Sequence, residues 1–177
     1  MNKLSLIVAL LLAVLLLQKC KKDTISETAT SSNTLFALID DSTWNADTIH
    51  ASLTYTAATQ TKVFLCTGIA DNKEVNIQIT QTDAVNSAGI PLMSFNSNGG
   101  SNNFSYYTSE LTGGKVTWYE QGTVAPGSGT LEFTAIDSVK HQVSGVFSFI
   151  SEIPATVTDF QVQAGAFNNL PYTFVSQ

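Results

Sequence analysis

From Leu35 onward, apolar and polar residues alternate with a period of two. Ile49, Ala51, Leu53 and Tyr55 alternate with Thr48, His50, Ser52 and Thr54. Val75, Ile77 and Ile79 alternate with Glu74, Asn76, Gln78 and Thr80. Leu131, Phe133 and Ala135 do the same with Thr130, Glu132 and Thr134, and the pattern returns at Val143–Phe149 and Phe160–Ala164. Period two, with β-branched and aromatic enrichment, marks strands with one buried face. After the N-terminal apolar run, no stretch carries a 3.6-residue stripe, so the domain is all-β.

Turn chemistry separates the strands. Asp71-Asn72 divides 62–70 from 73–80, and Gly113-Gly114 divides 104–112 from 115–120. A Gly-Gly pair accepts the two positive φ angles of a type I′ hairpin. Asp137 to Lys140 joins 130–136 to 142–150, and 121–129 (QGTVAPGSG) is a loop. Residues 81–102 are too long for a plain connection, which places one more strand near Ile90–Phe95. The expectation is an antiparallel β-sandwich of about eight to ten short strands spanning residues 34–177. Its expected core includes Trp44, Trp118, Phe133, Phe147, Phe149 and Phe160.

The N-terminal segment has a different texture. Lys3 precedes an unbroken apolar run, Leu4 to Leu17, which ends at Lys19, Cys20, Lys21 and Lys22. Fourteen helical residues rise about 21 Å, short of the ~30 Å hydrocarbon core that a spanning helix crosses. A signal peptide over residues 1–19 fits better. A cysteine at the cleavage boundary also fits a bacterial lipoprotein, cleaved before Cys20 and lipidated on its sulfur. Leu17 suits the position three before that cysteine, whereas Lys19 stands where a small residue is favoured. Residues 20–33 then supply the attachment cysteine and a Ser/Thr-rich polar tether, too poor in apolar groups to fold by itself.

Charge narrows the partners. Without residues 1–19 the chain keeps six lysines against fourteen acidic residues, and it contains no arginine. Nucleic-acid binding requires cations that displace phosphate counterions, so it is excluded. Phosphorylated and sulfated ligands are disfavoured for want of a guanidinium fork.

Chemistry-bearing residues are sparse. With Cys20 lipidated, Cys66 has no partner for a disulfide, and its setting in Val63-Phe64-Leu65-Cys66 reads as a buried thiol. His50 falls on the polar side of its strand and His141 beside a turn, neither within a triad, an elbow or a metal-ligand spacing. No metal site and no cofactor is expected. Asp40, Asp41 and Asp47 could begin a calcium loop, but Asp, Ser and Thr are also what inter-strand turns prefer, and the turn is the simpler reading. Glu132 and Asp137 do not stand out as a glycosidase pair.

The Gly113-Gly114 turn sets residue n against residue 227 − n. Ser109 then faces Trp118 and Leu111 faces Val116 on the side of Tyr107, an apolar face expected to be core. Thr108 faces Tyr119 and Tyr106 faces Gln121 on the other, polar side. Tyr106 and Tyr119 are diagonal neighbours there, a candidate platform for a sugar ring or a peptide.

Phe36-Ala37-Leu38-Ile39 followed by a polar turn and Trp44-Asn45-Ala46 resembles the Phe-x-Ala strand, turn and Trp that open small Bacteroidota outer-membrane lipoproteins of unknown function. Gly145-Val146-Phe147-Ser148-Phe149 resembles their Gly-Thr-Phe-x-Phe strand, and Val162 to Asn169 their closing Gly-x-Phe-x-Asn segment. Cys20-Lys21-Lys22-Asp23 is similar to the start of their mature chains. At Asp40-Asp41-Ser42 the family's turn glycine is absent. The resemblance implies a β-sandwich lipoprotein and no activity.

The expectation is therefore a lipid-anchored envelope protein at the outer membrane, facing the periplasm or the cell surface, without catalytic function. Its partners are the membrane, through the lipid, and a glycan, peptide or envelope protein. The alternatives are a secreted hydrolase with a hidden carboxylate pair and a purely structural envelope lipoprotein.

Overall fold

A computed structural model describes residues 34–153 and 159–177. Twelve strands follow in chain order: β1 Thr34–Ile39, β2 Ser42–Asn45, β3 Thr48–Thr56, β4 Thr61–Ala70, β5 Lys73–Gln81 and β6 Ser94–Asn96, then β7 Asn103–Thr112, β8 Lys115–Glu120, β9 Gly129–Asp137, β10 Gln142–Glu152, β11 Asp159–Pro171 and β12 Thr173–Ser176. The β-sandwich stands, with more strands than expected. β2 and β12 hold four residues each, too few for alternation to register in a sequence. Among the described residues no helix is long and apolar enough to cross a membrane.

The first sheet runs β2-β1-β11-β10-β9-β6 and the second β12-β3-β4-β5-β7-β8. Each of the three expected connections falls in place. Asp71 has φ 53°, and Gly113 and Gly114 have φ 61° and 79°, as a type I′ hairpin requires. Among the described residues the one parallel pair is β12 on β3, reached because the chain leaves the first sheet at Pro171 and joins the second at Thr173.

Contacts between the sheets define how they cross. Phe133, Gly145, Phe167 and Leu35 form a row across four strands of the first sheet. Phe133 and Phe167 both meet Phe64, with ring centroids 5.1 and 6.1 Å away, while Leu35 packs over Gly68 further along β4. Along β9, by contrast, Phe133 lies over β4 and Gly129 over Phe104 of β7. A step along one sheet's strands is thus a step across the other's, the orthogonal mode of sheet packing. Trp44, Phe133, Phe147 and Phe149 are buried as expected, and Phe160 packs half-buried against the same core.

Candidate functional site

The β7–β8 hairpin owes its orientation to β5. Val75 and Ile77, fully buried, pair with Tyr106 and Phe104, and directly paired residues share a face. Phe104 and Tyr106 therefore point inward. Tyr107, Ser109 and Leu111 point outward with their partners Glu120, Trp118 and Val116. β5 begins at Lys73, opposite Thr108, and the Ser109 amide donates to Asn72 O at 2.8 Å in the turn before it. Beyond that point the hairpin continues as a two-stranded ribbon.

This reverses the expected faces. The cross-strand register, n against 227 − n, is as read from the turn, but the side carrying Tyr107, Trp118, Leu111 and Val116 is the outer one. Leu111 and Val116 are 73% and 53% exposed and Trp118 is half-buried, outside the core. Tyr106 is 2% exposed and packs on Phe160 with centroids 5.3 Å apart. Burial, and secondarily the Asp40 charge, push its phenol up to about 12. Tyr119 shares the inner face but lies on the sheet's edge strand, and so stays 48% exposed. Tyr106 and Tyr119 therefore form no exposed platform. The decisive signal was Val75 and Ile77 on the neighbouring strand, which bury whichever residues pair with them.

An aromatic surface does exist on the other side. Tyr107 and Trp118 are diagonal neighbours there, continued toward the tip by Leu111 and Val116. Glu74 and Glu120 flank Tyr107 from β5 and β8.

Elsewhere the candidates resolve into structure. Cys66 is fully buried, and desolvation pushes its thiol up to about 12, the opposite of a nucleophile's shift. Asp40 and Asp41, with φ 48° and 62°, form the β1–β2 turn that lacks a glycine. The Asp40 amide donates to Gln161 O, and its carboxylate accepts the Gln161 amide at 2.9 Å. The Asp47 amide donates to Ile69 O as the chain passes between sheets. Asp137 accepts the amides of Lys140 and, secondarily, Val139, which hold its carboxyl below the usual range. Among the described residues, no three His, Cys, Asp or Glu side chains are grouped to hold a metal.

His50 is exposed and lines a shallow cleft of about 350 Å³ with Thr67 and Tyr172. His141 stacks on Tyr172 with centroids 5.5 Å apart. Glu132 lines an open trough of about 700 Å³ on the outer face of the first sheet, and no second carboxylate lines it. Cys20, the expected lipid-attachment residue, lies outside the described residues.

One residue escaped the sequence reading. Lys62 shares the inward parity of Phe64 and Cys66 and is only 4% exposed. Its Nζ donates to Gly89 O at 2.7 Å and Ser87 Oγ at 3.1 Å, and burial lowers its pKa. Together with the Tyr172 hydroxyl, which donates to Ala88 O, it pins the long β5–β6 connection. A lysine in step with Phe64 and Cys66 was the available clue.

Fold and surface define a two-sheet β-sandwich with an aromatic hairpin face. The chain belongs to a family described as a domain of unknown function (DUF6252), whose model matches residues 31–171. No curated protein and no solved structure matches it.

Proposed function

We propose that this chain is a non-catalytic binding module of the cell envelope, held to the outer membrane by lipid on Cys20 and engaging its partner through the outer face of the β7–β8 hairpin. The observation that carries this reading is the outward row of Tyr107, Trp118, Leu111 and Val116, part of it on a ribbon that overhangs the sheet. Apolar residues on such a ribbon gain nothing from the core, whereas aromatic and aliphatic anchors on an exposed hairpin face suit a contact surface. The anchor rests on the layout around Cys20 and on the likeness to Bacteroidota lipoproteins. A hydrolase would require two carboxylates facing each other across a cleft, and Glu132 lines the trough on the outer face of the first sheet without such a partner.

The test is binding by the full chain to a glycan array and to a displayed peptide library, alongside Tyr107→Ala and Trp118→Ala variants. Binding lost in both variants, with melting temperatures unchanged, supports the reading. Ligands that bind the variants as well as the parent chain overturn it.

A further inference from the structure

We infer that β8 is an acceptor edge for an extended peptide, which joins the second sheet as an added strand and sets a basic side chain beside Glu120, facing Tyr107. This rests on the binding-module reading and names the partner class for the same hairpin.

Edge strands of soluble proteins are usually blunted by short length, prolines, bulges or charge. Three of the four sheet edges here are short: β2 and β12 have four residues and β6 has three. β8 has six, with its charges, Lys115 and Glu120, at the two ends and the uncharged run Val116-Thr117-Trp118-Tyr119 between them. Among the described residues, nothing pairs with its outer side.

Hydrogen-bond phase shows what that edge offers. The Gln121 amide donates to Tyr106 O at 2.7 Å, so Gln121, Tyr119, Thr117 and Lys115 turn their backbone groups toward β7. Val116, Trp118 and Glu120 turn their N–H and C=O groups the other way. The side chains of those three residues are also the ones on the outer face. A strand laid along β8 would satisfy these backbone groups and bring its alternate side chains onto the aromatic row.

Charge selects among such strands. Glu74, Tyr107 and Glu120 are consecutive partners across β5, β7 and β8, so two carboxylates straddle one aromatic ring. A lysine or arginine opposite Glu120 would meet that carboxylate directly and reach toward the negative face of the Tyr107 ring, with the Glu74 charge beyond it adding to the negative field. Opposite Trp118 and Val116, apolar or β-branched side chains fit. The partner is therefore an extended peptide with two apolar residues and one basic residue at alternate positions.

Random displayed peptides selected against the full chain provide the test. Val116→Pro removes an outward N–H without breaking an internal bond, which edge strands tolerate, while Val116→Thr keeps the N–H. Enriched peptides should carry the alternating apolar and basic pattern and bind Val116→Pro roughly tenfold or more weakly than Val116→Thr, which loses the same valine side chain but keeps the N–H. Amide exchange at Val116, Trp118 and Glu120, fast in the free chain, should slow on binding. Thr117 and Tyr119 should be slow from the start. Binding that survives Val116→Pro but falls in Tyr107→Ala and Trp118→Ala overturns the edge and leaves the binding face standing. Binding indifferent to all these variants overturns both, and a selection without enriched peptides overturns the edge.

Discussion

Phe147 and Gly165 face each other across β10 and β11, and the Phe147 ring fills the place of a side chain on Gly165: a Cβ there would lie 2.5 Å from Cε2. Gly145 and Phe167 repeat the arrangement in the opposite sense on the same two strands, with a hypothetical Cβ 2.6 Å from Cζ. Each strand thus lends a ring to cover its neighbour's glycine, and the two rings stack with centroids 6.4 Å apart.

This pairing makes the two positions interdependent. Phe147→Ala is expected to cost roughly 3–5 kcal/mol, because a buried ring is lost and a cavity remains. Gly165→Ala alone overpacks the site and should cost about 1–3 kcal/mol. In the Phe147→Ala background the clash is gone, and the second substitution should be harmless or partly restoring. Urea denaturation of both singles and the double measures the coupling. Additive losses would show that the ring does not occupy that space.

Cys66 should be inert while the chain is folded. Its thiol is pushed from 9.0 to about 12 by burial, so the folded state keeps a proton that the unfolded state has released. That contribution is complete below about pH 9 and is lost as pH rises toward 12. Cys66→Ala should therefore flatten part of the alkaline decline in stability, although it costs packing at every pH. Iodoacetamide at pH 8, read at the Cys66 peptide by mass spectrometry, should label it only when urea is present; rapid native labelling would contradict the burial.

Lys62 works in the opposite direction. Burial lowers its pKa below 10.5, so the folded state sheds this proton before the unfolded chain does. Stability then rises with pH through the window between the lowered value and 10.5, and levels off above it. Lys62→Met removes that slope along with the bonds to Ser87 and Gly89. The stability of the parent relative to Lys62→Met, from urea melts across pH 8 to 11, should increase toward pH 10.5. Parallel curves would mean that Lys62 stays hydrated.

These residues show which parts of the fold were readable beforehand. Alternation at Val75, Ile77 and Ile79 and the glycines of the β7–β8 turn are local signals, and both the strands and the cross-strand register followed from them. The direction each face takes is not local. The outer face of the hairpin carries more apolar surface than most solvated strands, so its own composition pointed the wrong way. Only the pairing of Tyr106 with Val75, between segments thirty residues apart, decides it. Lys62 was hidden for a related reason: a long polar side chain at an inward position becomes tolerable only once a distant loop brings Gly89 O to it.

The proposed anchor yields the last prediction. Cleavage before Cys20 would leave a mature chain beginning Cys-Lys-Lys-Asp. A single acyl chain gives marginal membrane affinity, whereas two or more hold stably. The membrane fraction should therefore contain a chain whose first residue is Cys20 and whose mass exceeds the sequence by several acyl groups. Cys20→Ser should move the protein out of that fraction without changing its melting temperature, since Cys20 precedes the first described strand, which starts at Thr34. Lys19 stands where a small residue favours cleavage, so Lys19→Ala should speed maturation in a pulse-chase. An unmodified N-terminus, or Cys20→Ser retained in the membrane, would remove the lipid from this reading and leave the hairpin's binding role to be judged separately.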